Sequence, residues 1–533
     1  MDSVKKSLYE NILYFILIAV SCSVALYYLY FHFNLIHLPG AQIYQEGSFI
    51  INTDLLLKGG NPYILRYLPD YTEVYGPIYS IVVAPVAKLF GSSFLVHRAT
   101  SAFFIFGSCM MLFVIIRLRG GSKIAGFIAS ALYYILFTST YSTVSRPDSL
   151  GVFLMLISFF IAERSQYSNI GLALSIFFGI LAYFTKPYFL FCIPCISVYL
   201  FLSKSKIKGL AYFISSISGL AIFILILDIW LPYFITTTLE IHRAFTTASS
   251  SWLVYQLKDF LLLHLGLLVI VIIEGIFLLI NTMQKDRLNP LRFLTSKFNL
   301  IDLRQPLIYR RIDIIPINII MALLILLLLL GWHVGAYLIY FIQLLSPFLI
   351  IWVLRQFKAK TWLSATSIIC LIFNFAILGV NRPIIPKNYQ SIYQGWENLF
   401  AGGQKIIAPP LLVHLNVKYG TPFYDNGLSG YFRRFILLNK DYNSDPVQEK
   451  VLQQISDFKE KVRNAYFDMI LIEEHSANIY MPKCCISRKL MEEKYEFKGY
   501  RYLPCYYGNW KDRRQYGQGM FLIQIWDRKN LKT

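Results

Sequence analysis

Apolar runs of roughly bilayer length recur along this chain, and no other feature restricts its fold as tightly, because a helical span needs about 20 consecutive apolar residues. The first run, from Ile12 to His32, is longer than the apolar core of a secretory signal, and no small-residue cleavage site follows it. It is expected to remain as the first span. Further runs fall near 99–116, 124–141, 149–162, 169–185, 187–203, 209–231, 259–281, 315–332, 337–354 and 361–380, which makes about eleven. Composition agrees. Of 533 residues 56% are hydrophobic and only 15% charged, against about a quarter charged in water-soluble domains, and the mean hydropathy is +0.52. A polytopic α-helical membrane protein is the expected class.

The run from Pro77 to Phe90 is apolar but short, and Pro85 interrupts it. Loop charge decides its place. If 77–90 lies in the interface, one side of the membrane receives Lys5, Lys6, "RLRGGSK", "ERSQYS", "SKSKIKG", the segment 282–314 and "RQFKAK", about nineteen Lys and Arg against about eight opposite. If it crossed, the bias would reverse. An interfacial helix at 77–90 and a cytoplasmic N-terminus are therefore expected. The net charge of +20 is largely this cytoplasmic excess facing anionic lipid, and it requires no nucleic-acid partner. The arginines of 282–314 read as an ordinary positively charged loop.

An odd number of spans sends the tail, 381–533, to the outside. There the apolar runs shorten to strand length, as in "QKIIA", "FDMILIE" and "MFLIQIWDR", and a polar helical pattern covers Pro446 to Asn464. A small extracytoplasmic α/β domain is expected over 381–533, beside a transmembrane domain over 1–380 whose first outer loop is 37–98. Cys22, Cys109, Cys192, Cys195 and Cys370 fall in spans and read as small buried apolar residues. In an oxidising compartment Cys505 has Cys484 or Cys485 as a disulfide partner.

This topology gathers the ionisable residues at one face. Glu46, Asp54, Asp70 and Glu73 lie outside, together with "SRPDS" (Arg146, Asp148), "TKP" (Lys186) and "EIHRAF" (His242, Arg243). Carboxylates and cations from separate loops at a lipid boundary suit transfer from a lipid-linked phosphate. A carboxylate takes the proton of an attacking hydroxyl, while Arg and Lys stabilise charge on the departing phosphate.

Read together, "YQEG", "GGNPY", "YGPIYSIVVAPVAKLFG", Arg98, "SRPDSL" and "FTKPYFLFCIPCISVYL" resemble the successive blocks of bacterial GT-C integral membrane glycosyltransferases, over roughly residues 8 to 230. The resemblance implies transfer of a sugar from a polyprenyl-phosphate donor to a glycan, lipid or protein acceptor outside the cytoplasm. It also implies that the acid of the first outer loop is the catalytic base, and Glu46 is the matching position. Many relatives carry an Asp-Glu pair there, whereas this chain has Gln45 before Glu46; Glu73 or Asp70 is the alternative source of the base. Arg146, Asp148, Lys186, Glu73, Asp70, His242 and Arg243 are the expected substrate-binding residues.

Each has a plainer reading: Glu46 as a solvated loop acid, Arg146 with Asp148 as a pair capping a helix start, Lys186 as a snorkelling cation, His242 as a polar loop residue. No cluster has metal-ligand spacing, so no cofactor is required, although a divalent ion shared by carboxylates and phosphate is compatible with the pattern. The rival class is a transporter or lipid-linked sugar flippase, which calls for charges near mid-membrane and matching broken halves. Neither is seen here.

Overall fold

The computed structural model describes residues 2–140, 144–241, 250–285, 313–332, 338–355, 362–380, 388–474, 487–504 and 520–529. His242, Arg243, Cys484, Cys485, Cys505 and most of the basic segment 282–314 lie outside the described residues.

Helices form where the apolar runs were read. They are α1 (Asp2–Ile36), α2 (Tyr44–Leu57), α3 (Ile78–Phe90), α4 (Phe94–Leu118), α5 (Lys123–Thr138), α6 (Asp148–Arg164), α7 (Asn169–Tyr183), α8 (Cys192–Ser203) and α9 (Lys206–Trp230). Then follow α10 (Ser250–Leu263), α11 (Leu265–Lys285), α12 (Ile314–Ile325), α13 (Leu338–Leu344), α14 (Ser346–Leu354) and α15 (Trp362–Val380). Serines set several starts: the hydroxyls of Ser93, Ser122, Ser168 and Ser205 accept from the amides of Val96, Ala125, Gly171 and Lys208, which would otherwise lack partners.

Among the described residues, three helices are long and apolar enough to cross a bilayer: Asn11–Ile36, Phe94–Leu118 and Lys206–Trp230. A fourth candidate is the pair Ser250–Leu263 and Leu265–Ile276, bent by 82°. Most of the other runs form apolar helices of 10–17 residues, including Lys123–Thr138 and Asn169–Tyr183, or break into consecutive pieces. At 1.5 Å per residue, about 17 residues reach about 26 Å, slightly less than the hydrocarbon thickness.

At one end of the bundle Arg119 pairs with Glu163 and Asp313, and Arg355 pairs with Asp313, joining α4, α6, α12 and α14. The candidate site lies at the other end of α4. There the segment 37–98 is more ordered than its polar sequence suggested: besides the expected helix at 77–90, residues 44–57 form α2. Its polar side chains Glu46, Asn52 and Thr53 are buried, and Glu46 and Asn52 bond to protein partners rather than solvent.

The tail forms the expected α/β unit. Helices α16 (Tyr389–Ala401), α17 (Val413–Lys418), α18 (Ser429–Leu438), α19 (Pro446–Arg463) and α20 (Arg488–Lys494) accompany strands β1 (Ile406–Ile407), β2 (Met469–Glu473), β3 (Tyr495–Pro504) and β4 (Met520–Arg528). The sheet order is β1-β2-β4-β3, with β1 parallel to β2 and the other pairs antiparallel. Alternation divides its residues between two cores. Ile406, Met469, Leu471, Ile523 and Ile525 pack with Trp396 and Phe400 of α16, while Ile407, Ile470, Ile472 and Trp526 pack with Phe458 and Val462 of α19.

Candidate functional site

Three buried charges meet where α6 begins and α7 ends. The chain enters α6 through Pro147, which places Asp148 in the first turn, where a helix start favours an acid. Asp148 accepts from Arg146 Nε at 2.8 Å and from Lys186 Nζ at 2.9 and 2.8 Å. Tyr188 Oη lies 3.0 Å and Gln343 Nε2 3.0 Å from the same carboxylate. All three charged side chains are at least 96% buried, with exposures of 4% for Arg146, 2% for Lys186 and 0% for Asp148.

Two cations against one carboxylate leave one surplus positive charge, in a place shielded from water, while Lys186 is protonated. Burial, and then the neighbouring Arg146, pull the Lys186 ammonium below its ordinary pKa, with Asp148 opposing. Beside the cluster the hydroxyls of Ser145 and Ser149 are buried and have no hydrogen-bond partner among the described residues. With Lys186 protonated, the two cations against one carboxylate are a donor set for an anion with several oxygens.

The loop from Glu73 to Pro77 closes over this cluster. Gly76 makes that approach possible: a Cβ there would fall 1.7 Å from the carbonyl oxygen of Phe184. The contact sets the Tyr75 ring over Lys186, with Nζ 4.5 Å from the ring centroid. Glu73, two residues earlier, is 2% exposed. Its oxygens accept from Asn52 Nδ2 at 3.0 Å and from the Tyr75 amide at 3.1 Å. Burial outweighs those bonds and lifts the Glu73 carboxyl to about 7, where it can take up and release a proton at neutral pH.

Glu46 stands apart from this arrangement. It forms a fully buried ion pair with Arg98 at 2.7 Å. Oε1 accepts from Arg98 Nε and from the Ser145 amide, both at 2.8 Å, and Oε2 accepts from Arg98 Nη2 at 2.7 Å and the Gln42 amide at 2.6 Å. With two bonds to each oxygen its acceptor capacity is used up, which does not suit a group that must receive a substrate proton. Arg98 is equally satisfied: its remaining donors reach the carbonyls of Leu35 and Leu38 at 3.1 and 2.6 Å and of Gly40 at 2.6 Å. The pair fastens the end of α1, the start of α2 and the Ser145 turn to α4.

The other expected residues divide. Asp54 pairs at the surface with Lys58 at 2.6 Å. Asp70 is held by Gln454 of α19, and burial raises its carboxyl pKa against that bond and the charges of Arg433 and Lys450. Tyr75, Tyr188, Gln343, Asn52 and the serine hydroxyls were not anticipated. Arg98 carried a usable signal, since an arginine one turn into an apolar helix must find an acid.

A cavity of about 550 Å³ opens elsewhere, lined among others by His37, Asp54, Lys58, Tyr393, His414 and Lys418. None of Glu73, Arg146, Asp148 or Lys186 lines it. Its charges are already paired, Lys58 with Asp54 and Lys418 with Glu397, so the surplus charge of the buried cluster marks the chemistry better than cavity size does. No group of three His, Cys, Asp or Glu placed to hold a metal ion occurs among the described residues.

No protein-family model matches the chain, and no curated protein matches it.

Proposed function

We propose that the protein transfers a sugar from a polyprenyl-phosphate donor to an extracytoplasmic acceptor, with Glu73 as general base and Arg146 and Lys186 receiving the phosphate. The observation that carries this reading is the placement of an acid with a carboxyl pKa of about 7 two residues from the ring that covers a buried, surplus-positive cluster. Glu73 takes the proton of the acceptor hydroxyl as its oxygen attacks the anomeric carbon. The bond from that carbon to the phosphate oxygen breaks, and its electron pair stays on the phosphate, where Arg146, Lys186 and the Ser145 and Ser149 hydroxyls stabilise it. One base without a second nucleophile suits inversion. The base differs from the one the resemblance implied, because the bonds of Glu46 are all made inside the protein.

In this reading the domain 1–380 crosses the bilayer about eleven times, with a cytoplasmic N-terminus and the domain 381–533 outside. A cysteine replacing exposed Lys58 is then labelled by an impermeant reagent in intact cells, while one replacing Ser122 is not; reversed labelling would remove the external acceptor from the scheme.

The direct test is mass spectrometry of the copurifying lipid, followed by sugar transfer from that lipid in a reconstituted preparation. Lys186→Met should slow transfer by about thirty- to a thousandfold, corresponding to roughly 2–4 kcal/mol of transition-state stabilisation. Asp148 keeps Arg146, Tyr188 and Gln343 as partners in that variant. Full turnover by a folded Lys186→Met would move the phosphate elsewhere. The pH profile is also specified. Glu73 must be ionised and Lys186 protonated, and burial brings both to about 7, so kcat/KM follows a narrow bell centred near pH 7.

The 82° break between α10 and α11 is the feature that favours a flippase, since discontinuous helices occur in transporters. Its freed backbone groups are satisfied within the protein, by Asn374, which bonds the Leu263 carbonyl and the Gly266 amide at 3.0 and 3.1 Å. Flipping and transfer assays on one preparation separate the two.

A further inference from the structure

We infer that the C-terminal domain is a working part of the site, with Asn426 as a positioning residue that acts on Glu73 through Asn52. The inference lies in a relay of amide orientations. Asn426 sits in the segment Tyr424–Ser429, where its Oδ1 accepts from the backbone amides of Leu428 and Ser429 at 3.0 and 3.2 Å. Backbone amides only donate, so they determine which end of the Asn426 amide is oxygen. Its Nδ2 must then face the opposite way, and it does, reaching the Thr72 carbonyl at 2.7 Å and Asn52 Oδ1 at 3.2 Å. That contact orients the Asn52 amide in turn. Nδ2 of Asn52 is left to donate to Glu73 Oε2 at 3.0 Å. The Thr72 carbonyl, which Asn426 also holds, accepts from the same Asn52 Nδ2 at 3.2 Å, so Asn426 and the carbonyl it positions together present Glu73 with a donor rather than a carbonyl oxygen.

The segment is held firmly enough to act this way. Ser429 Oγ donates to the Asp70 carbonyl at 3.0 Å, Gln454 bonds the Asp70 carboxylate, and Lys450 reaches the Leu65 carbonyl at 2.6 Å. Arg433 pairs with Asp425 next to Asn426. All four residues of this relay and its target, Asn52, Thr72, Glu73 and Asn426, are at most 2% exposed.

A donated hydrogen bond favours the ionised carboxylate. Removing it raises the pKa of Glu73 beyond the level that burial sets. Other titratable and charged groups face the same acid: Tyr63 and Tyr75 from its own loop, with Arg146 and Asp148 beyond Tyr75, and Asp70, Asp425 and Arg433 at the domain contact.

The role of Glu73 as base rests on the transfer reading, whereas the relay does not, so the test needs a readout without turnover. In infrared titration of the full-length protein, the carboxyl band abolished by Glu73→Gln reports the protonation of Glu73. Asn426→Ala should raise its midpoint by about one pH unit, a tenfold gain in proton affinity. The acid limb of kcat/KM should move by the same amount. Asn426→Ser, which retains an oxygen for the turn, should do likewise and is read if the alanine variant does not fold. Tyr442→Phe is the control, because it cuts a different contact of the same domain, the bond to Glu240, and should leave the midpoint in place. An unmoved midpoint in both Asn426 variants would overturn the proposal. So would an equal shift in Tyr442→Phe, which would show general loosening. If the wild-type protein transfers no sugar while the midpoint shifts as stated, the transfer reading fails and the relay stands.

Discussion

Glu46→Gln should produce a protein that folds poorly or not at all. The substitution keeps the size of the side chain and removes its charge, leaving the Arg98 guanidinium, 0% exposed, without a counter-ion. Breaking a buried pair from one side costs about 3–5 kcal/mol, a large share of the 5–15 kcal/mol that separates a typical folded domain from its unfolded state. Gln also brings an amide NH2 against the donors of Arg98, Ser145 and Gln42, where two acceptor oxygens had stood. The measurement is the thermal midpoint and monodispersity of the detergent-extracted protein. Replacing both partners together, Glu46→Gln with Arg98→Gln, should harm less than the sum of the single changes, because no lone buried charge then remains. A Glu46→Gln protein with the wild-type midpoint and transfer slowed a hundredfold would return the role of base to Glu46.

Glu73→Gln should have the contrary outcome, though it is the same substitution in the same segment 37–98. Glu73 is buried without a cation directly on its carboxylate, and its carboxyl sits at about 7 because burial disfavours the charge. A neutral amide relieves that penalty, so insertion and folding should be retained. Transfer should fall about a hundred- to ten-thousandfold, the range supplied by a positioned general base. The rise of kcat/KM through pH 7 should vanish with it, since the group that titrates there is gone. Asp70→Asn tests the remaining acid, and by its contact with Gln454 it should loosen the domain junction with much less effect on the chemical step. Wild-type turnover in a folded Glu73→Gln would remove the base from this loop segment.

The contrast between these two acids marks how far the sequence could be read. The long apolar runs and the strand-length runs of the tail were legible, since a bilayer span and a strand each leave a pattern in consecutive residues. Strand β3 was missed because Glu496, Lys498 and Arg501 interrupt its apolar residues. Helix α2 was missed for a related reason: Glu46, Asn52 and Asp54 look like loop residues until their partners on α4, on 72–73 and on Lys58 are known. The clustering of Arg146, Asp148 and Lys186 was expected from topology, and they do lie within hydrogen-bond reach of one another. Which loop acid was free to accept a proton was not legible. That property depends on how many donors surround each carboxylate, and those donors come from positions as distant as Arg98 and Ser145 for Glu46, and Asn52 for Glu73. Uncharged amides such as Asn52 and Asn426 leave no mark in a sequence by which their use could be recognised.

The proposed relay to Asn426 would also set a schedule for biogenesis. Glu73 emerges from the ribosome 353 residues ahead of Asn426, by the difference of their positions. At about 5–20 residues per second, that interval lasts roughly 20–70 s. Throughout it the bundle can insert and close the Glu46–Arg98 pair, whose members are only 52 positions apart. Asn52 meanwhile has the Thr72 carbonyl beside it but lacks the contact from Asn426. The nascent bundle is therefore assembled well before its acid is tuned, and a chain released early, however well inserted, would carry Glu73 in an untuned setting.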